Sequence, residues 1–285
     1  MLRSVYQYGF LTIKLRARRS FMLKKSDYDA MLGADSVQSA LRRLEKSQYR
    51  GFVAPLLVGE FKFGKVEEQL NKAYEAEIEF IKLNLRNRLA IEFFEELLRP
   101  LELRCIASII KSILVGVEWA KGEGFLPTCG RIDASTCRSL VEGGDLKKAL
   151  QLINEPLAGK VERILKEGTD PARQSLEVEV TIDKYASMKL AEKLGVLRGR
   201  DRWATRLVGV TFDAKNIMLV LRMKKLGFQP EIIEKYLIPI HYNLAEEELK
   251  KLVTMPTEKE AIKMLTTGFY ANLVSPLISA YGLKE

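Results

Sequence analysis

The chain has 285 residues, of which 47% are hydrophobic and 29% charged, and this composition excludes disordered and collagen-like proteins. One histidine and three cysteines without a C-x-x-C pair predict no zinc site, no disulfide framework and a reducing cytoplasm. The net charge of +9 indicates an acidic partner.

Two short helices open the predicted structure. The first begins at Ser26 in "SDYDAML", and the second is "SVQSALRRL", with Ser36 as its N-cap because a hydroxyl accepts a bond from a free backbone N–H. A long amphipathic helix follows from Val66 to Arg99, and we expect Pro100 to end or kink it. The next helix is expected to close at Gly122, Gly124 and Pro127.

The same order of elements recurs later in the chain. A second short pair begins at Ser135 and at the predicted cap Asp145. Two long helices are then predicted over 175–194 and 201–226, the last ending at Gly227. A third short pair begins near Ala245, with Asn243 as the expected cap, and at Thr257, which forms a capping box with Glu260.

These recurrences keep constant offsets, which is typical of an internal repeat. "YRGFVAPLL" from Tyr49 returns as "YANLVSPLI" from Tyr270, 221 residues later. Five pairs are separated by 111 residues: Tyr74 and Tyr185, Glu102 and Asp213, Ile106 and Ile217, Lys111 and Arg222, Phe125 and Tyr236. We therefore predict an all-α protein of three related helical bundles in a pseudo-threefold layout, with units at 1–65 (shared with the C-terminal helices), 66–172 and 173–285.

Residues 264–283 carry no charge and approach the length of a membrane span. They contain Pro276, Gly268 and Gly282, and they match the segment at Tyr49, which Arg50 interrupts. We expect a packed helix pair rather than a span.

Catalytic motifs are not evident. Gly64-Lys65 and Gly159-Lys160 lack the rest of a P-loop, no G-x-S-x-G occurs, and His241 beside Pro239 is expected to lie in a loop with a structural or solvated role. We expect a protein that is not an enzyme and that has no catalytic, cofactor-binding or metal residues.

The positive charge is unevenly distributed. Residues 1–25 hold seven basic residues and no acidic one, and "RGRDRWATR" gathers four arginines around Trp203. A nucleic-acid backbone, an acidic membrane surface and an acidic protein are the functional alternatives, and a solvated basic face is the structural one. The candidate interface residues are Arg16, Arg18, Arg19, Arg198, Arg200, Arg202 and Arg206.

Three stretches carry a family resemblance. "YQYGFLTIKLRARRSFMLKKSDYDAML", the helix starts "LNKAYEAEI" and "IDKYASMKLAEKL", and above all "FDAKNIMLVLRMKKLGFQPEIIEKYLI" resemble the C subunit of archaeal-type ATP synthases, whose eukaryotic counterpart is the d subunit of V-type ATPases. Asp213, Asn216, Ile217 and Arg222 match the D-x-x-N-[IL]…R pattern of that family. The middle copy departs from the pattern, with Glu102 and Cys105 at the first two positions.

The resemblance implies three bundles forming a funnel-shaped socket at the cytoplasmic face of the membrane. Such a protein links the central rotor stalk to the membrane proteolipid ring and transmits torque for ATP synthesis or ion pumping, without catalysis. Its expected partners are therefore the proteins of the stalk, the ring and anionic lipid headgroups.

Two other function classes stand beside this one. A basic helical nucleic-acid-binding protein would explain the charge, but the chain has no interleaved aromatic platform or recognisable reading helix. An enzyme with a nonstandard site is the third alternative. A filter-binding assay across salt concentrations separates the coupling subunit from the nucleic-acid-binding protein, because nucleic-acid binding weakens steeply as the salt concentration rises.

Overall fold

The computed structural model describes residues 2–58, 63–116, 134–168, 170–197 and 202–280, and within these ranges every regular element is helical. This confirms the all-α prediction. The chain divides into two compact units, Met1–Ala158 and Gly159–Glu285. The elements up to residue 115 are α1 (Leu2–Arg19), α2 (Lys25–Leu32), α3 (Val37–Leu44), α4 (Arg50–Val53), a 3₁₀ turn (Ala54–Leu57), α5 (Phe63–Asn84) and α6 (Arg88–Val115).

The remaining described helices include the predicted short pairs and long helices, and α9 is an addition that was not predicted from the sequence. They are α7 (Ala134–Glu142), α8 (Leu146–Gln151), α9 (Glu155–Glu167), α10 (Pro171–Leu197), α11 (Arg202–Lys225), α12 (Pro230–Tyr236), α13 (Glu246–Thr254), α14 (Glu258–Leu265) and α15 (Ala271–Ala280). Gly227 ends α11 with a φ of 74°, a left-handed conformation that glycine adopts without a steric penalty.

Three predicted N-caps are confirmed. The Ser36 hydroxyl accepts from the Ser39 N–H at 3.1 Å at the start of α3. The Asp145 carboxylate accepts from the Lys148 N–H at 3.0 Å at the start of α8. The Thr257 hydroxyl accepts from the Glu260 N–H at 3.2 Å at the start of α14. These bonds are local, so the residue types predict them directly.

The predicted helix end at Pro100 is wrong. Pro100 lies inside α6, and the chain leaves helical conformation earlier, between Asn84 and Arg88. The Asn87 side chain accepts from the N–H groups of Leu89 and Ala90, at 2.9 and 3.3 Å, and caps the new helix. A proline removes one N–H, and burial of the residues that follow it in α6 compensates for that loss.

Two further boundaries differ from the prediction. Helix α6 ends at Gly116, with a φ of 68°, and the expected stop at Gly122, Gly124 and Pro127 lies outside the described residues. The N-cap of α13 is Ala245 rather than Asn243, and the Ala245 N–H donates to the Glu248 carboxylate at 3.0 Å. Asn243 lies before the helix because its own N–H is engaged by a side chain of α11.

The N-terminal unit contains a small core built by its first short helices. Leu41, Leu44 and Val53 are buried together, with Tyr49 and Leu70 packed against them. Farther along, α6 buries a continuous face that α7 and α8 contact. Its buried residues are Leu103, Cys105, Ile106, Ala107, Ile109 and Ile110.

The C-terminal unit has a larger core, made by α10 to α15. Helix α11 passes through it and buries Ile217, Val220 and Met223 completely. The buried members of this core are Leu176, Val180, Ile217, Val220, Leu221, Met223, Phe228, Ile233, Tyr236, Leu244, Leu249, Leu252, Val253, Ala261, Ile262, Leu265, Tyr270 and Val274.

Burial follows the repeat offsets. At the offset of 221, Leu44 matches Leu265 and Val53 matches Val274, and all four side chains are buried. At the offset of 111, Ile106 matches Ile217, and both are buried. These three pairs of identical apolar residues are therefore buried in both copies, which agrees with an internal repeat.

The uncharged C-terminal segment forms the end of α14 and the short helix α15, with Tyr270 and Val274 buried in the core. Among the helices described, none combines the length and the apolar character needed to cross a membrane.

We predict that Thr257→Ala lowers the free energy of unfolding by about 1 kcal/mol, because the N–H of Glu260 loses its acceptor. Urea unfolding followed by circular dichroism measures the loss. Thr254→Ala is the matched control, since its hydroxyl bonds only to carbonyls within its own helix. Equal stability of the two variants would contradict the capping role.

Candidate interaction surfaces and the buried polar lock

A buried carboxylate organises the C-terminal unit. Asp213 on α11 is fully buried, and its oxygens accept from the backbone N–H groups of Tyr242, Asn243 and Leu244, at 3.1, 2.6 and 2.9 Å. It also accepts from the hydroxyl of Tyr270 at 2.6 Å. A carboxylate with this many donors tolerates burial, because each hydrogen bond replaces one lost to water. Asp213 therefore fastens both the loop before α13 and the residue before α15.

Asn216 lies one turn farther along α11 and holds the start of the same loop. Its amide nitrogen donates to the Ile238 carbonyl at 2.9 Å, and its oxygen accepts from the Ile238 N–H at 2.8 Å. This pairing satisfies both backbone groups of one buried residue, as a strand neighbour would. Together, Asp213 and Asn216 fix residues 238–244; we call this arrangement the polar lock.

The other motif residue, Arg222, joins two long helices. Its guanidinium makes two hydrogen bonds to Glu179 on α10, at 2.7 and 3.0 Å. The Lys215 ammonium similarly reaches Asp183 at 3.3 Å and the Ser187 hydroxyl at 3.1 Å. The two-point geometry of the arginine pair fixes the relative rotation of α10 and α11.

Two buried tyrosines donate to carboxylates in this unit. The Tyr236 hydroxyl lies 2.5 Å from Glu177, and the Tyr270 hydroxyl lies 2.6 Å from Asp213. Burial and, to a smaller extent, the adjacent carboxylate raise the pKa of both phenols well above the ordinary value near 10. Both hydroxyls therefore stay protonated as donors.

The middle copy has different residues at the two positions of the polar lock. Cys105 stands where the later copy has Asn216 and is fully buried. Cys137 is buried and is not part of a disulfide. Glu102, at the position equivalent to Asp213, is only partly buried. The two copies therefore differ in the residue types at these two positions.

The N-terminal candidate arginines lie at the end of α1 in two environments. Arg16 and Arg19 are exposed. Arg18 is partly buried, forms an ion pair with Glu77, and lies 3.9 Å from the centroid of the Phe80 ring. Arg16 and Arg19 are therefore directed to solvent, while Arg18 fastens α1 to α5.

The second candidate group flanks the start of α11. Arg198 and Arg200 lie outside the described residues, and Arg202 begins the helix. Arg206 is exposed, with its guanidinium 5.9 Å from the ring centroid of Trp203, whose side chain is 76% exposed. An exposed tryptophan beside arginines is typical of a residue that becomes buried by a partner.

Sequence reasoning missed a cavity of 1120 Å³ within the C-terminal unit, lined by α9, α10 and α12. The Lys184 ammonium donates there to the Lys235 carbonyl at 2.7 Å, and burial and the charge of Lys160 lower its pKa. The Thr181 hydroxyl has no hydrogen-bond partner among the described residues. The lining spans residues 160–239, so only the three-dimensional fold assembles it.

Comparison with known proteins identifies the family. The family model described as ATP synthase (C/AC39) subunit matches residues 11–285. The chain belongs to this family. The match includes the polar lock and both groups of candidate arginines.

Named relatives of the family cover most of the chain. The A-type ATP synthase C subunit from Methanocaldococcus jannaschii is 18% identical over 96% of this chain and 68% of the relative. The corresponding C subunits from Methanothermobacter thermautotrophicus and Pyrococcus furiosus are 21% and 20% identical, over 97% and 94% of this chain and 70% of each relative. The chain thus matches about two thirds of the length of each relative.

We predict that Asp213→Asn lowers the free energy of unfolding of the C-terminal unit by about 3 kcal/mol, because an amide NH₂ then faces buried N–H donors. Tyr270→Phe removes one of the donors and costs about 1.5 kcal/mol. Urea unfolding measures both losses. The exposed Glu246→Gln serves as control, and a loss from Asp213→Asn no larger than that of the control would overturn the lock.

The raised tyrosine pKa values predict an alkaline loss of stability. A folded-state pKa above the unfolded value of about 10 contributes stability that is complete below pH 10 and lost as the pH rises further. The stability advantage of the wild type over Tyr236→Phe/Tyr270→Phe should therefore shrink above pH 10. Denaturation at several pH values tests this, with the exposed Tyr28→Phe as control. A constant difference contradicts the prediction.

Proposed function

We propose that the chain is a non-catalytic coupling subunit of a rotary ATP synthase or ATPase. It joins the central stalk to the proteolipid ring and transmits torque between them, as a peripheral component on the cytoplasmic face of the membrane. The observation that carries the proposal is the family match over residues 11–285, together with relatives named as subunits of an ATP synthase.

The mechanical demands of this role agree with the contacts within the C-terminal unit. A part that carries torque must resist shear between its helices, and loops are where a helical protein yields first. Here the α12–α13 loop is tied to α11 through Asp213 and Asn216. Arg222 and Lys215 tie α11 to α10. These cross-links restrict rotation of one helix against the next.

The pseudo-threefold socket is part of the same proposal. It is supported by the burial of matched residues at the offsets of 111 and 221, and by the caps at Ser36, Asp145 and Thr257. Three similar bundles around one axis provide a central seat for a rotor stalk and a rim for a ring. The units at 1–65, 66–172 and 173–285 are the proposed bundles.

The basic residues are proposed to form one of the two interfaces. Arg198, Arg200, Arg202 and Arg206 surround the exposed Trp203 in the sequence, so an acidic partner surface would gain both an aromatic anchor and complementary charge. Charges of one sign also steer encounter and fix register. The exposed Arg16 and Arg19 offer a second positive surface.

We predict that the tagged chain, purified from detergent-solubilised membranes of its source, recovers the central stalk proteins and the proteolipid ring. Arg200→Glu/Arg206→Glu should lower that recovery about tenfold or more at physiological salt, because like charges then face each other. Mass spectrometry with quantification of each recovered protein measures the effect.

Lys225→Glu/Lys259→Glu provides a control of equal charge change at exposed lysines. Equal recovery with both double variants would reject the arginine interface. Absence of stalk and ring proteins from the wild-type sample would reject the coupling role itself.

A further inference from the structure

Helix α1 has one face that packs within its own unit. Leu11 is buried, with 6% of its surface exposed. Arg18 pairs with Glu77 and lies over the Phe80 ring, so this side of the helix is fixed against α5. Leu11 and Arg18 therefore mark the side of α1 that faces its own unit.

The opposite face is apolar and exposed. Phe10, Ile13 and Ala17 follow one another at intervals of three and four residues, and so lie along one side of the helix. Phe10 is 58% exposed and Ile13 70% exposed. Phe21 and Met22, in the turn after α1, are 62% and 58% exposed and extend the same apolar surface. We call these five residues the apolar stripe.

Basic residues border the apolar stripe on both sides. At about 100° per residue, Lys14 lies on one side of it and Arg16 on the other. The Lys14 ammonium is 5.5 Å from the Phe10 ring centroid, so its stem already follows the apolar surface. Residues 1–26 contain no acidic side chain, so no negative charge within this segment offsets its basic residues.

We infer that α1 binds the surface of an anionic phospholipid membrane and lies in the plane of the headgroups. Phe10, Ile13 and Phe21 enter the boundary of the acyl chains, and Lys14 and Arg16 bind headgroup phosphates. An apolar helical face bordered by lysine and arginine is typical of helices that lie at this interface. The inference rests on the proposed function and extends it, by assigning a lipid contact to a protein proposed to lie beside the membrane.

The charge pattern favours lipid over a protein partner. A protein interface usually mixes charges of both signs at its rim, and each positive group then needs its own opposite group in register. An anionic bilayer instead presents a uniformly negative surface, to which every basic residue is complementary. The charged residues that border the apolar stripe are all basic, which matches the negative surface of an anionic bilayer.

Vesicle co-sedimentation of the full chain tests the inference. We expect binding to vesicles of equal parts phosphatidylglycerol and phosphatidylcholine, little binding to phosphatidylcholine alone, and weakening by salt. Lys14→Gln/Arg16→Gln should lower the partition coefficient about 30-fold, since each basic residue near the surface contributes about fivefold. Ile13→Ser should lower it about tenfold.

Matched controls exclude a general effect of charge or hydrophobicity. Lys225→Gln/Lys259→Gln removes two exposed charges elsewhere, and Leu83→Ser removes an apolar side chain that is 75% exposed. Both should bind vesicles as the wild type does. Circular dichroism of each variant verifies that the fold is retained, so that a loss of binding is not a loss of structure.

A tryptophan reporter tests the depth of insertion. In a chain with Trp119→Phe and Trp203→Phe, the substitution Phe10→Trp should give emission that shifts to shorter wavelength with anionic vesicles only. An unshifted spectrum contradicts insertion of the apolar stripe.

Absence of vesicle binding, or equal binding to both vesicle types, overturns the inference. A second result would also overturn it: the chain binds purified stalk or ring proteins but not vesicles, and Ile13→Ser abolishes that protein binding. The apolar stripe would then be a protein interface. Recovery of stalk and ring proteins in detergent does not depend on a bilayer. If stalk and ring proteins are recovered but vesicles are not bound, the lipid inference is wrong while the proposed function stands. If vesicles are bound but stalk and ring proteins are not recovered, the proposed function alone is rejected.

Discussion

The structure of the C-terminal unit depends on a single buried carboxylate. Asp213 has no solvent exposure, and its stability in that position requires donors that come from residues 242–244 and from Tyr270. Removing water from a carboxylate costs several kcal/mol, and only a set of well-placed donors offsets that cost. The position of α11 therefore dictates where the α12–α13 loop and the residue before α15 must lie. Hydrophobic contact alone would allow these elements to slide, whereas directional hydrogen bonds allow one register.

Two kinds of interaction have different effects in this unit. Burial of the many apolar side chains of the core supplies most of the driving force for folding, because it is proportional to area and insensitive to direction. The polar lock and the Arg222–Glu179 pair contribute less to net stability but select a specific geometry. A protein proposed to carry torque needs the second property as much as the first, since a stable but deformable bundle would absorb rotation instead of transmitting it.

The features that the sequence predicted correctly are those with local causes. Ser36, Asp145 and Thr257 cap helices whose own N–H groups lie three residues away, so the residue type is sufficient. The break at Asn87 was missed because Pro100 is the stronger local signal, yet packing of α6 overrides it. The partners of the motif residues could not be predicted, because they are backbone groups of a loop and carry no side-chain signature. Among the candidate arginines, only the fold distinguishes Arg18, which is paired, from the exposed Arg16.

The bond from Tyr270 to Asp213 spans 57 residues of chain, and it has a consequence for biosynthesis. During translation, α11 leaves the ribosome well before Tyr270 does, so the Asp213 carboxylate must remain hydrated until the last donor arrives. The apolar face of α11 cannot close fully over that charge in the meantime. The C-terminal bundle is therefore expected to complete its core late, in one cooperative step, and a nascent chain stalled before Tyr270 would present an open, protease-sensitive intermediate.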